Sequence, residues 1–309
     1  MTTQLTLDLT RPEPNTHIID EVRKTTAASR RTGRVTKTLR RFGTLLRSHV
    51  VASFAALYVA LVLISALLPQ WFTRADPYAT APAQSMQAPS AAHWFGTDKL
   101  GRDVFTRVVY GGRTTITASL VALAIAVIAG LALGVIAGYA GGVLDALLMR
   151  FVDVWLAIPG LLLAITIVTA IGFGTLPVAI AIGVGICPTF ARTTRSQVLR
   201  VKQEDYIEAA RTSGSSDASI VVNHILPNAI GPVAVLALLD FGGIIMAVAT
   251  LSFLGFGVKP PEAEWGSLIN DGRDYLLTAP WLSILPGLVV VATVLAITVL
   301  GNAVKKELK

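Results

Sequence analysis

The chain has 309 residues, 53% of them hydrophobic and only 15% charged, with a mean hydropathy of +0.64; a soluble domain of this length carries roughly 25% charged residues. The deficit sits in long uncharged runs, which excludes an ordinary soluble enzyme and predicts lipid-facing helices. A single cysteine, Cys187, excludes an internal disulfide and a thiolate metal cluster, and the net charge of +7 fits the cytoplasmic loops of a membrane protein better than a nucleic-acid partner.

Residues 1–48 form a polar tail with ten Lys/Arg and four acids, basic from Arg30 to Arg47. The tail is far longer than the charged region of a secretion signal, and the apolar run after it is 19 residues long, so the run reads as a retained anchor. Ala79-Thr80-Ala81 imitates a cleavage site but lies well beyond that run. The expected first span is Val50–Leu68, closed by Pro69; a Pro/Ala-rich segment to Arg113 completes a region 49–113. The second span, Thr114–Tyr139, carries Gly130, Gly134 and Gly138 on one helix face, the pattern of close helix packing.

Between Val154 and Ala191 lie 38 residues without a charge, too many for one helix crossing a core of about 30 Å. Gly172-Phe173-Gly174-Thr175-Leu176-Pro177 interrupts them, so two spans are expected. A polar loop from Arg192, reaching as far as Pro227, separates these from a fifth span, Ala229–Gly255, and a sixth, Trp281–Val304; residues 305–309 form a short tail. Trp71, Trp94, Trp155, Trp265 and Trp281 fall near span ends, where indoles favour the interface. With the N-terminus inside, cytoplasmic segments carry 19 Lys/Arg against seven outside, which puts both termini in the cytoplasm. The expectation is an all-α integral membrane protein with six transmembrane helices and a core domain over 114–304.

The loop is long enough to hold helices of its own. Tyr206-Ile207-Glu208-Ala209-Ala210 favours a helix stopped near Gly214; Ser215, Ser216 and Asp217 offer N-caps for a second, and Pro227 ends the element before the next span. The run Glu208-Ala209-Ala210, then Gly214 three residues on, then Leu226-Pro227 resembles the hallmark cytoplasmic segment of ABC importer permeases. His224 stands where the peptide-permease branch usually departs from Ile. The run from His93 through Gly96-Thr97-Asp98 to Gly101-Arg102-Asp103, Arg150-Phe151-Val152-Asp153 with Ala157-Ile158-Pro159, and Leu251–Gly257 with Pro260-Pro261 and Trp265-Gly266 are similar to the C-type permeases for dipeptides, oligopeptides and nickel. The resemblance covers about residues 45–305 and leaves the tail outside.

That resemblance implies the type I importer transmembrane fold in a prokaryotic plasma membrane. It also implies a second, B-type permease, two ATPase subunits that hold ATP and Mg, and an external substrate-binding protein. The 208–219 region would dock on an ATPase, with Glu208 and Arg211 suited to charge-assisted contacts and Ala209, Ala210 and Gly214 to close approach. The chain has no phosphate-binding loop and no Gly-Lys pair, so ATP hydrolysis falls to separate subunits.

Asp240, the one ionisable residue between His224 and Lys259, lies inside span five, where a carboxylate costs roughly 2.5–3.5 kcal/mol. It either faces the pathway or partner permease, or is a buried acid satisfied by hydroxyls; the family more often places its acid near Val248. Asp98, Arg102 and Asp103 form either a docking surface for the binding protein or a bracing turn. The 259–274 segment, with Glu262, Glu264, Asp271 and Asp274 opposing Lys259 and Arg273, is either an outer gate or a solvated loop. His17, His49, His93 and His224 lack metal-ligand spacing, and no Ser/His/Asp grouping stands out. An intramembrane enzyme lacks its paired acids here, and a stand-alone secondary transporter usually carries more mid-membrane ionisable groups than Asp240 alone. Dipeptides, longer peptides, nickel chelates, glutathione and haem all remain open as substrates.

Overall fold

The structure, a computed structural model, describes residues 50–307, so the expected tail 1–48 lies outside the described residues. The chain divides after Ser53, and the unit from Phe54 onward holds nearly all the described elements. The α-helices among them are α1 (Val50–Leu67), α2 (Val104–Ala140), α3 (Gly142–Ala157), α4 (Gly160–Ile171), α5 (Thr175–Lys202), α6 (Asp205–Thr212), α7 (Asp217–Ile220), α8 (Leu226–Phe253), α9 (Trp265–Gly272) and α10 (Trp281–Glu307), with short 3₁₀ turns at Pro69–Trp71, Pro82–Gln84 and Arg273–Tyr275. A single π-helical turn, Val221–Ile225, joins α7 to α8. Among the described residues the only β-type pairing is the isolated bridge between Thr97 and Asp103.

Five helices are long and apolar enough to cross a membrane, and six crossings result if the α3–α4 pair is one bent span. The two members of that pair meet at 93°. Pro159 removes a backbone donor at the corner and forces Ile158 into extended geometry, which ends α3. The uncharged run from Val154 therefore holds the end of one helix, a short half-span of 12 residues and the start of α5.

Helix limits differ from the expected spans where charge is neutralised locally. α2 begins ten residues before Thr114, because Arg107 is 1% exposed and donates to the carbonyls of Pro77 and Pro261. A guanidinium that finds acceptors inside the protein, here two carbonyls with the Asp98 carboxylate 3.8 Å from its Nε, does not interrupt a helix. α5 runs on through Arg192, Arg195 and Arg200, so the first third of the expected loop is helix. Arg195 makes two bonds to Asp145 of α3 at 2.6 and 2.7 Å, and Arg192 pairs with Asp153. Pro227 occupies the first turn of α8, where its missing N–H costs nothing, so it starts a helix instead of ending one. The basic residues Lys305 and Lys306 belong to the last turn of α10.

The interface of α2 with α5 is built on the three glycines. A Cβ at Gly134 would lie 2.5 Å from the Thr194 Cβ, one at Gly138 would lie 2.9 Å from the Val198 Cβ, and one at Gly130 would strike the Phe190 Cβ. Only bare backbone allows this approach, which replaces a hydrophobic driving force that lipid does not supply. At one end of the molecule Val62, Val104, Val108, Ile245, Trp265 and Leu282 join α1, α2, α8, α9 and α10. At the other end Val198, Val201, Ile207, Ile220, Ile225 and Ala229 bind α6, α7 and the π turn to α5 and α8.

Candidate functional site

The segment singled out by its sequence lies at the end of the molecule where α2 finishes and α8 begins. In α6, Ile207 is 2% exposed and anchors the helix, while Glu208, Ala209 and Arg211 face outward. Ala210 is half-buried against the apolar cluster, so of the two alanines only Ala209 lies on the open face. Gly214 has φ +82°, and a Cβ there would meet nothing. Its glycine is required by the left-handed turn that closes α6, where the amides of Gly214 and Ser215 donate to the carbonyls of Arg211 and Ala210. Ser216 is the N-cap of α7 and accepts from the Ser219 amide at 3.3 Å. Leu226 is half-buried and Pro227 exposed.

Three residues that the sequence did not flag fix this segment to the spans. Tyr139, one residue before the end of α2, donates its hydroxyl to Asp217 of α7. Lys202, ending α5, donates to the Tyr139 carbonyl at 2.7 Å, with its ammonium 5.4 Å from the ring centroid. Asn228 of α8 donates to the His224 carbonyl at 2.6 Å and to the Tyr206 hydroxyl at 3.3 Å. Each sits at a helix end, and only that position, a polar residue closing an apolar run, marks it in the sequence.

Asp240 is half-buried on α8, and among the described residues no hydroxyl or cation is within bonding distance of it. It stands three residues before Gly243 and seven before Ala247, on the same side of the helix. Those two residues line a groove of about 410 Å³ with Gly160, Leu161, Ile182 and Gly185. A Cβ at Gly160 or Gly243 would meet no neighbour, so these glycines leave helical backbone bare where nothing packs on it.

At the far end, Asp98 and Arg102 are turned on each other. Asp98 accepts from the Arg102 side chain at 2.6 Å and from the amides of Leu100 and Arg102, and Arg102 is 4% exposed. The two residues close a turn on each other, with Arg102 inside it. Asp103 occupies the N-cap position of α2 beside His93 without a side-chain bond to the helix end, and burial pushes its carboxyl above the ordinary range. Glu264 is 1% exposed, accepts from Thr115 at 2.9 Å and from the amides of Gly266 and Ser267 at 3.1 Å, and so is no part of a solvated loop. Burial raises its pKa, and these donors only partly offset the rise. Trp265 follows it and donates its indole N–H to the Val108 carbonyl at 2.9 Å. Among the described residues no group of three His, Cys, Asp or Glu could hold a metal ion.

Residues 130–309 match the family described as the binding-protein-dependent transport system inner membrane component. The chain is 36% identical over 263 residues to the dipeptide transport system permease protein of Alkalihalophilus pseudofirmus, covering 85% of this chain and 86% of that one. It is 40% identical over the same length and shares to the glutathione transport system permease protein of Shigella sonnei. Among solved structures, it resembles the inward-facing MetNI methionine ABC transporter, with a TM-score of 0.54 and 19% identity over 66% of this chain and 97% of that one. It also resembles an amino acid ABC transporter crystallised with histidines, with a TM-score of 0.51 and 16% identity over 66% and 94%.

Proposed function

Because this chain belongs to the family of binding-protein-dependent transport system inner membrane components, we propose that it forms half of the membrane pathway through which an ATP-driven importer takes up short peptides. Membership makes it a multi-pass permease subunit of an ABC importer with the type I fold. The finer reading, a peptide cargo of dipeptide to oligopeptide size, is supported by the dipeptide and glutathione relatives, both of which carry peptide-like molecules by name.

The observation that carries the reading is the build of the α6–α7 segment: polar groups outward, apolar anchor inward, both helices pinned to the ends of α2 and α5. Glu208, Ala209, Arg211 and the Gly214 turn, with Leu226-Pro227 behind them, would form the face that docks on an ATPase subunit. ATP and Mg would bind on the ATPase pair, whose closure would push this face. A second, B-type permease would complete the pathway, and the substrate-binding protein would meet the opposite end through exposed groups such as Lys99, since Arg102 is buried. Asp240 and the bare glycines beside it would line the route, offering a carboxylate and backbone to the cargo.

The test is co-purification of the tagged chain with its co-expressed partners, comparing the native sequence with Glu208→Ala and Gly214→Pro, followed by uptake of labelled dipeptide and of glutathione in proteoliposomes. Loss of the ATPase with the variants and binding-protein-dependent dipeptide uptake by the native complex support the reading. Transport by the chain alone, without an ATPase, would make it a secondary transporter.

A further inference from the structure

Two turns built of the same three residues meet at one end of the groove lined by α4, α5 and α8. Gly172-Phe173-Gly174 joins α4 to α5, and Gly255-Phe256-Gly257 follows the end of α8. The rings of Phe173 and Phe256 are stacked, 2° from parallel with their centroids 5.6 Å apart. The Gly174 amide donates to the Phe256 carbonyl at 3.0 Å, so backbone joins the turns as well. The Lys259 ammonium stands over the Phe173 ring, 5.9 Å from its centroid.

This clasp joins the same ends of all three helices that line the groove: the end of α4, the start of α5 and the end of α8. Thr250 and Leu251 line the groove from the last turn of α8, and the Leu251 carbonyl accepts from the Phe256 amide at 3.1 Å. Phe256 packs against the apolar cluster that holds Ala164, Ile182 and Leu251, three residues of the groove wall. From the clasp α5 and α8 run to the α6–α7 segment at their other ends. The clasp therefore stands at the end of the groove away from that segment.

The backbone here needs glycine for conformation and not for space. Gly172 and Gly174 have φ +121° and +130° with ψ 177°, and Gly255 has φ +91°, where other residues are strained. A Cβ at Gly172 or Gly255 would meet nothing, in contrast to the glycines packed between α2 and α5. Phe173 itself is 53% exposed. A ring pair, a backbone bond and an ammonium thus hold together two loops whose glycines can change conformation, which is the build of a closure that opens. We propose that the two Gly-Phe-Gly turns form a lid over the outer mouth of the groove, which parts in each transport cycle as the rings swing off each other. The proposal rests on the groove being part of the route and holds for any cargo.

The test uses the full complex with its ATPase subunits, carrying Phe173→Cys and Phe256→Cys in a chain whose buried Cys187 is replaced by alanine. A short bis-methanethiosulfonate, removable by dithiothreitol, bridges the pair, and the rate of bridging is read without nucleotide and with ATP plus vanadate, which holds the ATPase pair closed. Bridging should be about tenfold slower in the trapped state, where the turns stand apart. The bridged complex should lose ATP-driven uptake of labelled dipeptide and regain it on reduction. Equal rates in the two states, or full uptake by the bridged complex, would show a fixed structural contact and overturn the proposal. Should the double variant fail to assemble, Phe173→Leu, which removes the stack and keeps an apolar side chain, should raise cargo-independent ATP hydrolysis severalfold; unchanged hydrolysis would overturn it equally. A native complex that takes up no peptide would sink the peptide reading alone, because the bridging rates decide the lid without reference to cargo.

Discussion

Tyr139 of α2 donates its hydroxyl hydrogen to Asp217 of α7 across 78 residues of sequence, so a transmembrane helix and the α6–α7 segment share one bond. The same tyrosine receives Lys202 on its carbonyl and ring, which brings the end of α5 into the contact. Three separate elements meet on one side chain.

Tyr139→Phe removes that bond and keeps the ring under the Lys202 ammonium. A net hydrogen bond to a charged group contributes about 1.5–3 kcal/mol, and its loss falls on the joint and not on the core. The expected result is a complex that assembles with its ATPase while cargo-stimulated ATP hydrolysis and uptake fall severalfold. Unchanged stimulation would show that α7 is held by its apolar contacts alone.

Gly134→Ala places a methyl group 2.5 Å from the Thr194 Cβ and 2.6 Å from the Ala191 carbonyl. Overpacking of this kind costs about 1–3 kcal/mol, and backbone against backbone leaves little to relax. Thermal unfolding in detergent should move down by several degrees. Gly287→Ala on α10, where a Cβ meets nothing, should leave the midpoint level or raise it, since alanine gains about 0.5–1 kcal/mol over glycine within a helix.

Arg102→Ala separates bracing from docking. Removing one partner of a buried pair strands the other, at a cost of about 3–5 kcal/mol. The variant should express poorly or lose the ordered outer segment in limited proteolysis. A well-folded variant that only fails to engage the substrate-binding protein would return Arg102 to a docking role.

Glu264 gives a pH prediction with a definite sign. Its folded-state pKa is raised, so the folded protein holds a proton that the unfolded chain releases near the ordinary value of 4.5. Its stabilising contribution is therefore fully present below that value and is lost as pH rises through the folded pKa. Glu264→Gln removes the titration. The midpoint of the native protein relative to this variant should fall as pH climbs from about 4.5, whereas a constant difference would show that the donors around Glu264 fully compensate its burial.

Much of this was legible from local pattern. The α6–α7 segment is read from adjacent residues, and its Gly214 stop and Ser216 cap need no distant partner. The long apolar runs place α1, α2, α5, α8 and α10 to within a few turns, and the Gly130, Gly134 and Gly138 face is in close contact with another helix, as its spacing predicts, though the spacing does not say which. What could not be read is non-local neutralisation. Arg107 hides inside α2 because carbonyls from Pro77 and Pro261 reach it, and α3 is tied to α5 by Asp145 and Asp153 pairing with Arg195 and Arg192, 50 and 39 residues away. Charge counted along the chain treats such residues as loop markers; charge counted in space shows them cancelled.

The glycine seam between α2 and α5 has a mechanical consequence. Two helices in backbone contact cannot bend or slide independently without opening that seam, so they move as one strut. At 37 residues, α2 is about 55 Å long. A push at the Tyr139 end that tilts the strut by about 5° carries its other tip about 5 Å, roughly a full helical turn, which makes α2 and α5 a lever whose long arm reaches the opposite face of the membrane.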